Sequence, residues 1–260
     1  MTQLAPTLRS SLASRLASPR VSTPTLALAL SLLSGCTDVG AQRLQVPMFL
    51  QGTAPSLIRV ADYDVEVDQA QVAFGPLYLC ASRLPDVDIC PTSIAENLQT
   101  TSFDALSERA TMAGTLSGFT QTSRSGMWDY GRTWRISDRV VRPSAQAIDG
   151  AHSAVLVLTA TRGGESRHFR FVLDVDGGSQ TSGTTAVRAR LTEQALTPSL
   201  ASLEVRFDPT LWASLVDYDT LWELPVSEMI DVPAGHPAES SVRLAMVLNG
   251  LPTMTWRASE

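Results

Sequence analysis

The chain has 260 residues, 44% hydrophobic and 18% charged, with a formal net charge of −6. An acidic excess argues against nucleic acid and anionic lipid surfaces as partners, because both call for clustered cations. All 20 basic residues are arginine, which excludes a Schiff-base lysine, a catalytic amine and a P-loop lysine.

The first 35 residues read as a targeting segment. Arg9, Arg15 and Arg20 form a positive leader, and no acid occurs before Asp38. The uncharged stretch from Val21 to Leu33 holds the apolar core Leu26-Ala27-Leu28-Ala29-Leu30-Ser31-Leu32-Leu33. A spanning helix takes about 20 consecutive apolar residues, so this run is a signal-peptide core. It closes on Leu33-Ser34-Gly35-Cys36, where the small pair suits a peptidase that tolerates little bulk at the scissile bond.

Those four residues resemble the lipobox of bacterial lipoproteins. The resemblance implies cleavage after Gly35 and lipid on Cys36. One acyl chain anchors only marginally, but this modification adds several, so attachment is stable. In that family an aspartate directly after the cysteine retains the protein in the inner membrane. Here Thr37 stands there and Asp38 follows, which implies the outer membrane of the cell envelope. The expected division is a signal peptide at 1–35, a lipidated tether at 36–45 and a single β-rich domain at 46–260. Without the signal, 17 arginines face 26 acids, a formal charge near −9.

Cys80 and Cys90 remain, an even pair in an oxidising compartment, and we expect them to form a disulfide. Such a bridge across a short polar loop stabilises by roughly 3 kcal/mol. The alternative, a thiolate metal site, lacks close Cys-x-x-Cys spacing.

In chain order, residues 46–50 read as a strand, with Pro47 suited to an edge. From Ala61 to Asp68 the chain alternates strictly, Tyr63, Val65 and Val67 against Asp62, Asp64, Glu66 and Asp68. That is a half-buried strand with a solvated acidic face. Gln71 to Cys80 is a second, more apolar strand, with a bulge or bend at Gly75-Pro76. Residues 81–100 read as the disulfide loop and a polar connection. Strands follow at 110–121 and 127–136, the latter placing Trp128, Tyr130 and Trp134 on one face as core or as a sugar-binding platform.

Residues 139–150 read as a loop. The strand 152–161, the turn Arg162-Gly163-Gly164-Glu165 and the strand 168–175 form a hairpin. Asp174 to Gly178 opens like a calcium loop but lacks the later acids. Strands at 184–192 and 203–207 follow. Asp208-Pro209 then caps a helix to about Tyr218, with Leu211, Trp212, Leu215 and Val216 at helical spacing. A second helix spans Pro237 to Leu248 and stops at Asn249-Gly250, and 253–257 returns as an edge strand. The fold class is mainly β, an antiparallel β-sandwich or open barrel with two short helices.

No Gly-x-Ser-x-Gly elbow, His-Glu-x-x-His, Gly-x-Gly-x-x-Gly or Walker A sequence occurs. The three histidines are His152, His168 and His236. Of these, His152 and His236 are candidate metal ligands, with Met112, Met246 and Met254 as soft donors of the kind copper takes.

The segments Val65-Glu66-Val67, Gly75 to Cys80, Asp129-Tyr130-Gly131, His152-Ser153-Ala154 and Asp208-Pro209 with Trp212 and Asp217-Tyr218 resemble myxobacterial-type lipoproteins. That resemblance brings no assigned activity. The His152 strand and the turn at Asp208 are similar to periplasmic copper-binding partner proteins, whose multiple cysteines are missing here. The leading expectation is a lipid-anchored module with a binding or structural role, not an enzyme and without cofactor. Its partners would be the membrane, through the lipid, and an envelope protein or glycan. A periplasmic copper- or zinc-binding lipoprotein is the alternative.

Overall fold

A computed structural model describes residues 40–83, 93–131, 152–175 and 187–259, and residues 41–260 form one compact unit. The fold is mainly β, with fourteen strands in two sheets among the described residues. The first six are β1 (Arg43–Gln51), β2 (Ile58–Val60), β3 (Tyr63–Phe74), β4 (Leu77–Cys80), β5 (Ser93–Asn97) and β6 (Thr101–Asp104). Then come β7 (Thr111–Phe119), β8 (Thr122–Trp128), β9 (Ala154–Arg162), β10 (Glu165–Leu173), β11 (Val187–Ala195) and β12 (Leu200–Arg206). Helices α1 (Pro209–Ala213) and α2 (Tyr218–Trp222) precede β13 (Ile230–Asp231), and α3 (Pro237–Leu244) precedes β14 (Thr253–Ala258).

The larger sheet has eight strands in the order β11-β8-β4-β5-β7-β1-β12-β14 and curls into a nearly closed barrel. The second runs β13-β10-β9-β3-β2, with β6 also pairing β3. Pairing is antiparallel except for β1 with β12 and β10 with β13. Inward residues of both sheets and the helices share one core. At its heart Phe207 packs on Phe103 at 5.0 Å and Phe74 at 5.3 Å, with Tyr130 and Trp212 beyond.

Register fixes the two ends of the barrel. At one end Arg43 opens β1 opposite Phe119, Ala195 ends β11 opposite Thr122, and Leu200 opens β12 opposite Ala258. At the other end Gln51 pairs with Arg206, and the Gln51 carbonyl accepts from the Phe207 amide. The helices grow from that second end.

Several expectations change. The first strand begins at Arg43 rather than Val46, and it lies inside the sheet rather than at an edge. Pro47 is tolerated because registered pairs with β12 begin only at Met48, so one side of the strand carries no ladder there. Gly75-Pro76, a cis peptide, carries the chain from one sheet to the other, so one expected strand is the end of β3 plus β4. The polar connection 81–100 contains β5, a central strand. The expected helix at 209–218 is two helices, because the Asp217 side chain caps α2 by accepting from the Thr220 amide. Leu211 and Leu215 face solvent at 45% and 44% exposure, while Trp212 is buried and donates to the Gly250 carbonyl. The C-terminal helix ends in a π-helical turn, Ala245–Asn249.

Candidate functional site

Each histidine is held by its own local partner. His152, just before β9, lies with Nδ1 3.0 Å from the Asp174 carboxylate at the end of β10, the two side chains 33% and 40% exposed. A carboxylate at Nδ1 fixes the ring hydrogen there and leaves the lone pair on Nε2. His236 is the N-cap of α3, and its Nδ1 accepts from the Ala238 amide at 3.2 Å. The neutral ring then carries its hydrogen on Nε2, so it offers a metal no lone pair unless the cap breaks.

His168 faces outward on β10, with Nδ1 2.8 Å from the Thr159 hydroxyl on β9. That hydroxyl donates its hydrogen to Asp68 at 2.6 Å. Asp68 is the extra residue of a bulge in β3, between Val67 and Gln69. The imidazole is therefore the donor, the reverse of what activates a hydroxyl nucleophile. The three residues form a polar strut across an open sheet face.

His168 lies opposite Thr159, seven positions along the strand from His152, which places the two rings on the order of 20 Å apart. Among the described residues no group of three or more histidine, cysteine, aspartate or glutamate side chains is placed to hold a metal. The soft donors are dispersed as well: Met112 is exposed on β7, Met246 is buried in the π-helical turn, and Met254 lies on β14. Of the aromatic face expected at 127–136, Trp128 and Tyr130 are fully buried, so they are core. Trp134 lies outside the described residues, as do Cys36 and Cys90. Cys80 is fully buried at the end of β4.

Two acids of the expected acidic face are engaged, since Asp64 pairs with Arg59 at 2.9 Å and Asp68 accepts from Thr159, while Asp62 and Glu66 face solvent. A constellation that sequence spacing did not show joins β3 to α2. The Tyr63 hydroxyl donates to Asp219 at 2.8 Å and accepts from Arg162 at 2.5 Å. The Arg162 guanidinium lies over the Tyr63 and Trp222 rings, and Arg167 covers Trp222 at 4.3 Å. Burial pushes the Tyr63 pKa up, the bond to Asp219 pushes the same way, and Arg162 opposes. With its hydroxyl tied at both ends, Tyr63 clamps the helix to the sheet.

A groove of about 640 Å³ with mixed polar and apolar walls crosses β5 and β7, lined by Glu96, Asn97, Gln99, Met112 and Gly114 among others. The Asn97 amide, buried beneath it, donates to the Ala113 carbonyl at 2.8 Å and so holds the bulge in β7.

No family model and no curated protein matches the sequence. Among solved structures the fold is similar to MbnP from Methylosinus trichosporium, with 14% identity and a TM-score of 0.40, covering 85% of this chain and 100% of that one.

Proposed function

We propose that the chain is a lipid-anchored lipoprotein of the cell envelope whose β-sandwich is a binding or structural module rather than an enzyme. The junction carries this reading: the lipobox cysteine, Cys36, stands seven positions before Arg43, the first residue of a central strand. A tether that short hangs the folded domain directly from its anchor. The engagement of His168 and His236 as hydrogen-bonding struts favours a module over a hydrolase. Labelling with a radioactive fatty acid tests the anchor. Label and membrane fractionation should both be lost in Cys36→Ser, and label that persists in this variant overturns the lipobox assignment. Density-gradient separation of the two membranes then checks the outer-membrane location.

A second reading is favoured by one observation. Asp174 holds His152 in the tautomer that a copper or zinc site uses, with the lone pair at Nε2. Elemental analysis of the protein purified from a periplasm without chelators decides it. Stoichiometric copper or zinc, lost in His152→Ala, supports the metal reading, and a metal-free protein removes it.

A further inference from the structure

Arg83, Arg124 and Arg190 are distant in sequence, yet they line one depression of about 360 Å³ with Leu191, Thr192 and Glu193. Pairing brings them together. Arg190 of β11 lies opposite Ser125 of β8, and Cys80, three positions before Arg83, pairs with Ser125 from the other side. Between Arg190 and Gln194 the β11 register slips against Ser125 and Ser123, so residues 191–193 bulge opposite Arg124. One carboxylate oxygen of Glu193 serves two guanidinium groups at long range, Arg83 at 3.3 Å and Arg124 at 3.4 Å. Arg124 also donates to the Ala81 carbonyl, and no ion pair among the described residues involves Arg190. Among the described residues lining the depression, three guanidinium groups against one carboxylate leave a charge of +2. Each guanidinium is a planar fork suited to two oxygens of a phosphate.

The position of this cluster gives it meaning. β8 begins and β11 ends at the end of the barrel where Arg43 opens β1, and β4 ends there too. Phe119, paired with Arg43, is 46% exposed at the same end. The helices lie at the opposite end. From Cys36 to Arg43 the chain spans at most about 25 Å, so a lipid on Cys36 keeps this end of the barrel the nearer to the bilayer.

We propose that Arg83, Arg124 and Arg190 bind the phosphate groups of anionic membrane lipid headgroups, whose charge no choline offsets, seating the barrel end on the bilayer. This rests on the lipid-anchored reading and adds to it. The bulk charge near −9 opposes general adhesion to an anionic surface. It thereby confines contact to this one basic rim, since screening limits the reach of the distant acids to about 8–10 Å.

The absence of lysine supplies the test, because trypsin cuts this chain only after arginine. The mature protein, purified from its membrane and tested for lipid label, is placed in vesicles of phosphatidylcholine alone or with phosphatidylglycerol. Cleavage at Arg83 is compared with cleavage at exposed Arg109, which stands just before β7 at the opposite end of the barrel. In the anionic vesicles Arg83 should be cut about tenfold more slowly while Arg109 is unchanged. Arg124→Gln and Arg190→Gln should each relieve the protection. Equal rates at Arg83 in both vesicles overturn the proposal. Protection by glycerol phosphate in detergent, without a bilayer, overturns the membrane source in favour of a soluble phosphate ligand. Protection by anionic vesicles of a protein that carries no lipid label overturns the anchor and leaves the phosphate site standing.

Discussion

The Tyr63 hydroxyl meets the Asp219 carboxylate at 2.8 Å, and that bond ties the second sheet to the helix α2. Arg162 donates to both groups, so three side chains from three elements share one contact. Tyr63→Phe removes the donor to Asp219 and the acceptor of Arg162 while keeping the ring between Tyr218 and Trp222. The expected loss is about 1–2 kcal/mol, read as a lower urea midpoint with unchanged slope. Combined with Asp219→Ala, the losses should fall short of their sum, because both mutations break the same contact.

Alkaline stability follows from three tyrosines. Burial raises the pKa of Tyr63, Tyr130 and Tyr218 above the ordinary tyrosine value, and for Tyr130 the Trp128 indole opposes in part. A raised folded-state pKa contributes stability that is intact below the unfolded value near 10 and is lost as pH climbs toward the folded value. The melting temperature should therefore fall above about pH 10. Tyrosinate absorbance should rise in step with unfolding rather than ahead of it, and full ionisation of the native protein would contradict the burial argument.

Gly75 has φ of +109°, and a Cβ there would stand 2.1 Å from the Gln99 carbonyl oxygen. Backbone cannot yield as a side chain tip does. Gly75→Ala should cost at least about 1–3 kcal/mol from the dihedral alone, with the clash added. Gly163→Ala is a fair comparison, since it has positive φ but nothing within 4 Å, and it should be the milder change in thermal melts.

The expected bridge between Cys80 and Cys90 makes a separate prediction. Cys80 is fully buried where β4 ends. A reductant should lower the melting temperature, with about 3 kcal/mol at stake for a loop of this length. Two thiols titrating in the denatured, unreduced protein would remove the bridge.

Strands whose pattern was simple were legible in the sequence. Tyr63, Val65 and Val67, and later Phe169, Phe171 and Leu173, alternate with polar residues and point inward as that alternation requires. The turn at Gly163-Gly164 has positive φ at both residues. Strand β5 hid because its polar residues have structural work that no period reveals: Glu96 lines a groove and Asn97 holds a bulge. Helical spacing located α1, but the buried face is chosen by Trp212 reaching the Gly250 carbonyl, a contact between residues 38 positions apart. The arginine cluster was illegible for the same reason. Only the register of β4, β8 and β11 assembles Arg83, Arg124 and Arg190.

Strand β1 continues from the segment that bears Cys36 and lies between β7 and β12 rather than at a margin. Tension on a lipid at Cys36, from drag or from a bound partner, would enter along the axis of this strand. The antiparallel bonds from Arg43 to Leu50 lie across that axis, so they bear the load together in shear instead of peeling one by one. Attachment through a margin strand such as β14 would expose a single row to tearing. If Cys36 carries the proposed lipid, this placement of β1 keeps the domain folded under such a pull.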